Sequence, residues 1–199
     1  MKHPVGYAYI TLLLSTVCLF APGHAEKATG GTALLLIDIQ NFYFEGQGAL
    51  VEPMHAAEKA ARLLGHFREE GGLVIHVRHE SSSGGDIHRI VAPEAGEKMI
   101  TKKSVNAFKD TDLLDFLKKK GVKKIVACGM MTHMCLEAAV RAAADLGFQI
   151  TVIADACATR DLQFSGHTVK ALDVHISTLA TLSRYYGEVK DTASFLAAH

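Results

Sequence analysis

The chain has 199 residues, 49% of them hydrophobic, and its 21 basic and 21 acidic side chains give a formal net charge of zero. That length supports one well-buried domain and is short for two, and the charge balance excludes a polyanion such as nucleic acid as the default partner. The one basic cluster, "KKKGVKK" at 118–124, sits where a helix is predicted to end, and there it reads as a solvated terminus favoured by the helix dipole.

In chain order, the first predicted element is a secretory signal over residues 1–25. Lys2 leads into the apolar "ITLLLSTVCLFA", and "GHA" puts small residues before a cut after Ala25. The apolar core falls short of the roughly 20 residues that span a bilayer. Cys18 is a poor lipid-attachment site because Val17 precedes it. The expectation is an exported protein, periplasmic or secreted, with a single domain at 26–199 and no membrane contact in its mature form. Loss of Lys2 leaves 20 basic against 21 acidic side chains, a formal charge of −1. Export also leaves Cys128, Cys135 and Cys157, an odd set, so at least one thiol stays free in an oxidising compartment.

Four short apolar runs follow: "TALLLIDI" at 32–39, "GLVIHVRH" at 72–79, "KKIVACG" at 123–129 and "FQITVIAD" at 148–155. They are nearly unalternating, as strands covered on both faces of a parallel sheet are. Helical spacing is predicted over 54–70, 111–120, 135–146 and 167–185. The alternation implies a three-layer α/β domain, Rossmann-like, with a mostly parallel central sheet and right-handed crossovers. One stretch breaks the rhythm, 80–106, with "SSSGGD" near its start and Pro93 inside it. It reads either as an excursion that covers substrate or as a surface loop.

In such sheets ligands bind beyond the carboxyl ends of the strands, which directs attention to three residues. Asp38 follows four aliphatic residues, so burial raises its pKa and makes it a usable base; the competing reading is a cap on the next turn. Cys135 falls at a predicted helix start, where oriented N–H groups favour thiolate and can hold an oxyanion; the competing reading is an inert buried thiol. Lys102, in "MITKKSVNAF", is by itself a surface lysine, but beside a thiol and a carboxylate it would stabilise developing charge.

Together, "LLLIDIQNFYF", "TKKSVNAF" and "CGMMTHMCLEAAVRAAADLGF" followed by "DACATRD" resemble the isochorismatase-like cysteine hydrolase family, which includes nicotinamidases and related amidases. The resemblance runs from about 32 to about 180. It implies a catalytic set of Asp38, Lys102 and Cys135. Lys102 is chosen over Lys103 because the family's lysine stands six residues before the phenylalanine, here Phe108. It also implies a non-proline cis peptide at Met130–Met131 and an oxyanion site at the N–H groups of Met131 and Cys135. Gln40, Tyr43, Phe44, His79, Phe108 and Thr132 are candidate pocket residues.

Relatives that bind a metal do so through an aspartate and two histidines after the second strand, in a D-x-H pattern. Here that region reads "HVRHESSSGGDIH", without that spacing, so no metal and no cofactor are expected. The reading is a metal-independent hydrolase of a small amide or related C–N bond, acting through a thioester, with a small-molecule substrate and a homo-oligomeric state. Ether or lactam cleavage, or a non-catalytic ligand-binding role, are the alternatives.

Overall fold

The computed structural model describes Met1 and residues 31–199. The expected leader, apart from Met1, and the expected domain start at residue 26 lie outside the described residues. The four apolar runs form the centre of a six-stranded sheet. β1 (Thr32–Ile37), β2 (Leu73–His79), β4 (Lys124–Met130) and β5 (Gln149–Ala158) are joined by β3 (Lys98–Lys102) and β8 (Glu188–Lys190) at the edges. The order is β3-β2-β1-β4-β5-β8, and every pairing is parallel.

Leu34 to Ile37 of β1 and Ile125 to Met130 of β4 are buried throughout, because β1 and β4 lie mid-sheet with helices above and below. α1 (Pro53–Glu69) packs on β2, β4 and β5 and against α5 (Thr192–Ala197), with Phe67 and Phe195 stacked 6.3 Å apart. α3 (Glu137–Asp145) packs on β5 and on α4 (Ala171–Tyr185), while α2 (Leu113–Lys119) leads into β4. No helix among the described residues is long and apolar enough to cross a membrane.

The excursion at 80–106 is less open than expected. Its second half contains β3, an edge strand with alternating burial in "KMITK". A short turn at Arg89–Val91 packs on α1. Residues 162–169, expected to be loop and helix start, are a two-stranded hairpin of β6 (Leu162–Phe164) and β7 (His167–Val169). Its turn residues Ser165 and Gly166 both take positive φ, 48° and 78°, the geometry that matches hairpin twist.

The topology places the site. From β1 the chain moves outward through β2 and β3, then returns across to β4 on the other side of β1. Ligands bind at that reversal, between the carboxyl ends of the two central strands. Asp38 leaves β1 there, and the segment after Met130 leaves β4 there. Gly129 makes the closeness possible: at φ 127° a Cβ would stand 2.0 Å from the Ile37 carbonyl oxygen.

Candidate active site

Three strand ends deliver three chemical groups to one point. Asp38 stands one residue past β1 with φ 49°, a left-handed conformation that Asp adopts more readily than most residues. Lys102 is the last residue of β3 and is the largest side chain that is fully buried. Cys135 lies in a π-type turn, Thr132–Leu136, that carries the chain from β4 into α3. The cysteine is thus one turn earlier than a simple helix start, in the irregular segment that aims it. The Met130–Met131 peptide before this turn is cis.

The Lys102 ammonium is the hub. Nζ lies 2.7 Å from Asp38 Oδ2, 3.3 Å from Cys135 Sγ and 3.1 Å from His79 Nδ1. An ammonium only donates, so Nδ1 is the accepting nitrogen of His79 and its proton sits on Nε2. The contact with Asp38 is a buried ion pair, and apart from Lys102 and Cys135 the carboxylate oxygens have no partner among the described residues. Asp38 therefore caps no turn; it is a desolvated carboxylate facing a thiol and an ammonium.

Burial raises the Asp38 carboxyl above its ordinary range, opposed by the Lys102 charge. The thiol of Cys135 is pushed up to about 12, first by burial and then by the negative charge of Asp38, with Lys102 pulling the other way. This corrects the expectation of a resting thiolate. With 4% of the residue exposed, desolvation outweighs whatever the turn's N–H groups contribute. Cys128 and Cys157 are also free, buried thiols raised first by burial, with the negative charge of Asp155 adding to the rise in both.

Of the candidate pocket residues, His79 and Tyr43 are near the centre. The buried Tyr43 hydroxyl is raised by desolvation and then by the charges of Cys135 and Asp38. Thr132 opens the nucleophile turn, its Oγ1 3.3 Å from the Ala158 carbonyl and 3.0 Å from His175 Nδ1. Gln40 is a staple rather than a pocket wall. Its fully buried amide accepts from His79 N–H and donates to the carbonyls of His79 and Gly85, tying the exit of β1 to the loop after β2. Phe44 stacks on His88 at 3.9 Å. Phe108 does not reach the thiol's side; its ring faces Phe148, which leads into β5 at the opposite end of the sheet.

Arg160 was not anticipated. It is half-buried just past β5, its Nε donates to Met131 Sδ at 3.3 Å, and its terminal nitrogens have no acceptor among the described residues. The available signal was an arginine inside "DACATRD" immediately beyond a strand's carboxyl end.

A parallel α/β sheet with thiol, ammonium and carboxylate gathered at its topological reversal has the architecture of an isochorismatase-like hydrolase. The chain belongs to the isochorismatase family, whose isochorismatase domain matches residues 32–183. It is 45% identical over 177 residues to the isochorismatase family protein YddQ of Bacillus subtilis (strain 168), covering 83% of this chain and 98% of that one. It is 28% identical to the maleamate amidohydrolase of Pseudomonas putida, covering 79% of this chain and 81% of that one. A crystal structure from Oleispira antarctica described as an isochorismatase hydrolase superposes with a TM-score of 0.81 at 44% identity, covering 84% and 96% of the two chains.

Proposed function

We propose that this hydrolase cleaves a small amide or related C–N acyl bond through a thioester on Cys135, without a metal. The observation that supports this most is the buried Asp38–Lys102–Cys135 contact set, in which the carboxylate's partners are the ammonium and the thiol themselves. A carboxylate raised by burial is a stronger base, and the thiol raised to about 12 is a reluctant acid, so the proton moves only as the carbon–sulfur bond forms.

Asp38 takes the thiol proton while Sγ attacks the carbonyl carbon, and Lys102 keeps the buried charge balanced. The oxyanion rests on the N–H groups of Met131 and Cys135. Collapse of the tetrahedral adduct breaks the C–N bond, and Asp38 returns the proton to the leaving amine. Water deprotonated by the same carboxylate then cleaves the thioester, freeing the acid and restoring the thiol.

The free donors of Arg160 beside Met131 suit a substrate that carries a carboxylate next to its amide. A relative named for hydrolysis of maleamate agrees with that direction. The test is ammonia release from a panel of small amides with and without a carboxylate. Turnover of acidic amides, lost in Cys135→Ala, is the expected result; turnover that survives in Cys135→Ala overturns the mechanism. Raised KM for acidic amides alone in Arg160→Met supports the carboxylate contact, and equal effects on neutral amides remove it.

A further inference from the structure

Around the Lys102 ammonium the protein has built the donor set of a metal ion. Asp38 carboxylate, His79 Nδ1 and Cys135 Sγ lie within 4.8 Å of one another. The ammonium nitrogen stands among them at 2.7, 3.1 and 3.3 Å. Zinc bonds to such atoms run about 2.0 Å to oxygen or nitrogen and about 2.3 Å to sulfur, so each donor needs to close in by about 0.7 to 1.1 Å. Asp38 is fully buried, and the partners of its carboxylate, Lys102 and Cys135, both belong to this cluster, so no bond to the rest of the fold holds it back. The mix of one oxygen, one nitrogen and one sulfur selects a borderline-soft cation over magnesium or calcium, which take oxygen alone.

We propose that Asp38, His79 and Cys135 form a cation site whose resident is the Lys102 ammonium, and that a thiophilic divalent cation of the zinc class displaces it and inhibits the enzyme. As the metal–sulfur bond forms, Sγ–H gives its proton to solvent and the ammonium leaves the donor set. No electron moves. The bound metal takes the sulfur lone pair and the carboxylate together, so nucleophile and base are lost in one event. Three protein ligands leave the fourth position to water. Entry is from the side of His79, which is half-buried and lines a cavity of about 260 Å³ with Glu80 and the loop at 81–86.

The proposal concerns what the resting site binds, so it stands or falls apart from the identity of the substrate. The probe is cadmium, which reports a thiolate bond by ultraviolet charge-transfer absorption, with zinc followed by calorimetry. Wild type is expected to bind one cadmium per chain with a thiolate band that Cys135→Ser removes, leaving Cys128 and Cys157 silent. Lys102→Ala has no ammonium to displace and binds about tenfold tighter or more, while His79→Ala binds about tenfold weaker or more. Magnesium produces no change. A missing band in wild type, a band that persists in Cys135→Ser, or a Lys102→Ala protein that binds no tighter than wild type overturns the proposal. Should Lys102→Ala fail to fold, the wild-type, Cys135→Ser and His79→Ala titrations decide it alone.

Discussion

Glu97 and Asp38 are both carboxylates drawn out of water beside β2 and β3, with 12% and none of their side-chain surface exposed. Around Glu97 the fold assembles four donors: Arg68 Nε at 2.7 Å, Arg68 Nη2 at 2.9 Å, the Glu94 N–H at 2.7 Å and His76 Nε2 at 2.8 Å. Burial alone would raise the Glu97 carboxyl, but these donors outweigh it and hold it down to about 2. Around Asp38 it places only the Lys102 ammonium at 2.7 Å and the Cys135 thiol, burial outweighs them, and that carboxyl rises. A satisfied buried carboxylate is a fastener, here clasping the chain at 92–97 to α1 through Arg68, which also reaches the Ala92 carbonyl. One whose partners are only an ammonium and a thiol keeps a raised proton affinity, the state that the proposed base requires.

The comparison is sharpest at the reactive end. Cys135→Ala should lower hydrolysis by on the order of 10⁴-fold or more while leaving the melting temperature unchanged, since alanine suits the turn and no charge is exposed. Kinetics and thermal unfolding on one preparation check this. Full activity would make the Asp38 cluster as structural as the Glu97 one.

Next in size is the ion pair. Asp38→Asn and Lys102→Met each strand the partner's charge in the core, and each should destabilise by about 3 to 5 kcal/mol, whereas the double variant should recover most of that loss. Asn tolerates the positive φ of Asp38, so backbone strain does not confuse the reading. All three should lose about 10²-fold or more in activity. Denaturant unfolding reads the cycle; additive losses would mean that the 2.7 Å contact carries no coupling. Alkylation of Cys135 at fixed pH should slow in Lys102→Met, because removing the cation pushes a thiol already near 12 still higher. Lys103→Met should change nothing, as Lys103 is 82% exposed and pairs only with Glu80.

Glu97→Gln should reverse the pattern, costing stability and sparing turnover of the folded enzyme. The sign follows from the direction of the shift. A carboxyl lowered from 4.5 to about 2 adds stability that is complete above about 4.5 and is lost as pH falls toward 2, about 3 kcal/mol in all. Unfolding free energy of the wild type should therefore fall across that window more steeply than that of Glu97→Gln. Equal slopes would remove the clasp from the account.

The two clusters also differ in how legible they were. Asp38 and Cys135 were readable because they follow the ends of β1 and β4, which "TALLLI" and "KIVACGM" announce as buried parallel strands by lacking alternation, whereas Lys102, by itself a surface lysine, was singled out only through the family resemblance. β3 was missed because an edge strand is covered on one side only: in "KMITK" Ile100 and Lys102 are buried while Met99 and Thr101 are exposed, so the sequence shows neither an apolar run nor an apolar–polar alternation and looks like loop. The Glu97 clasp was invisible, since its partners lie 21 and 29 residues away and meet only after β2 and β3 pair. The thiol's upward shift was misjudged for a related reason. A dipole can be inferred from local sequence, whereas desolvation depends on everything that packs around the site.

The smallest expected effect is none. Dialysis against a strong chelator should not lower activity, because the positive charge that the carboxylate, imidazole and thiol require is supplied by a covalently attached ammonium at 2.7 to 3.3 Å. A cation tethered by a side chain cannot be dialysed away. If zinc does compete for that position, chelation raises the activity of a zinc-contaminated preparation and readdition lowers it. Activity that falls on chelation and returns with zinc would invert the assignment. The Asp38 cluster would then be a metal centre in waiting, Lys102 its placeholder, and the carboxylate oxygens would be ligands rather than a base.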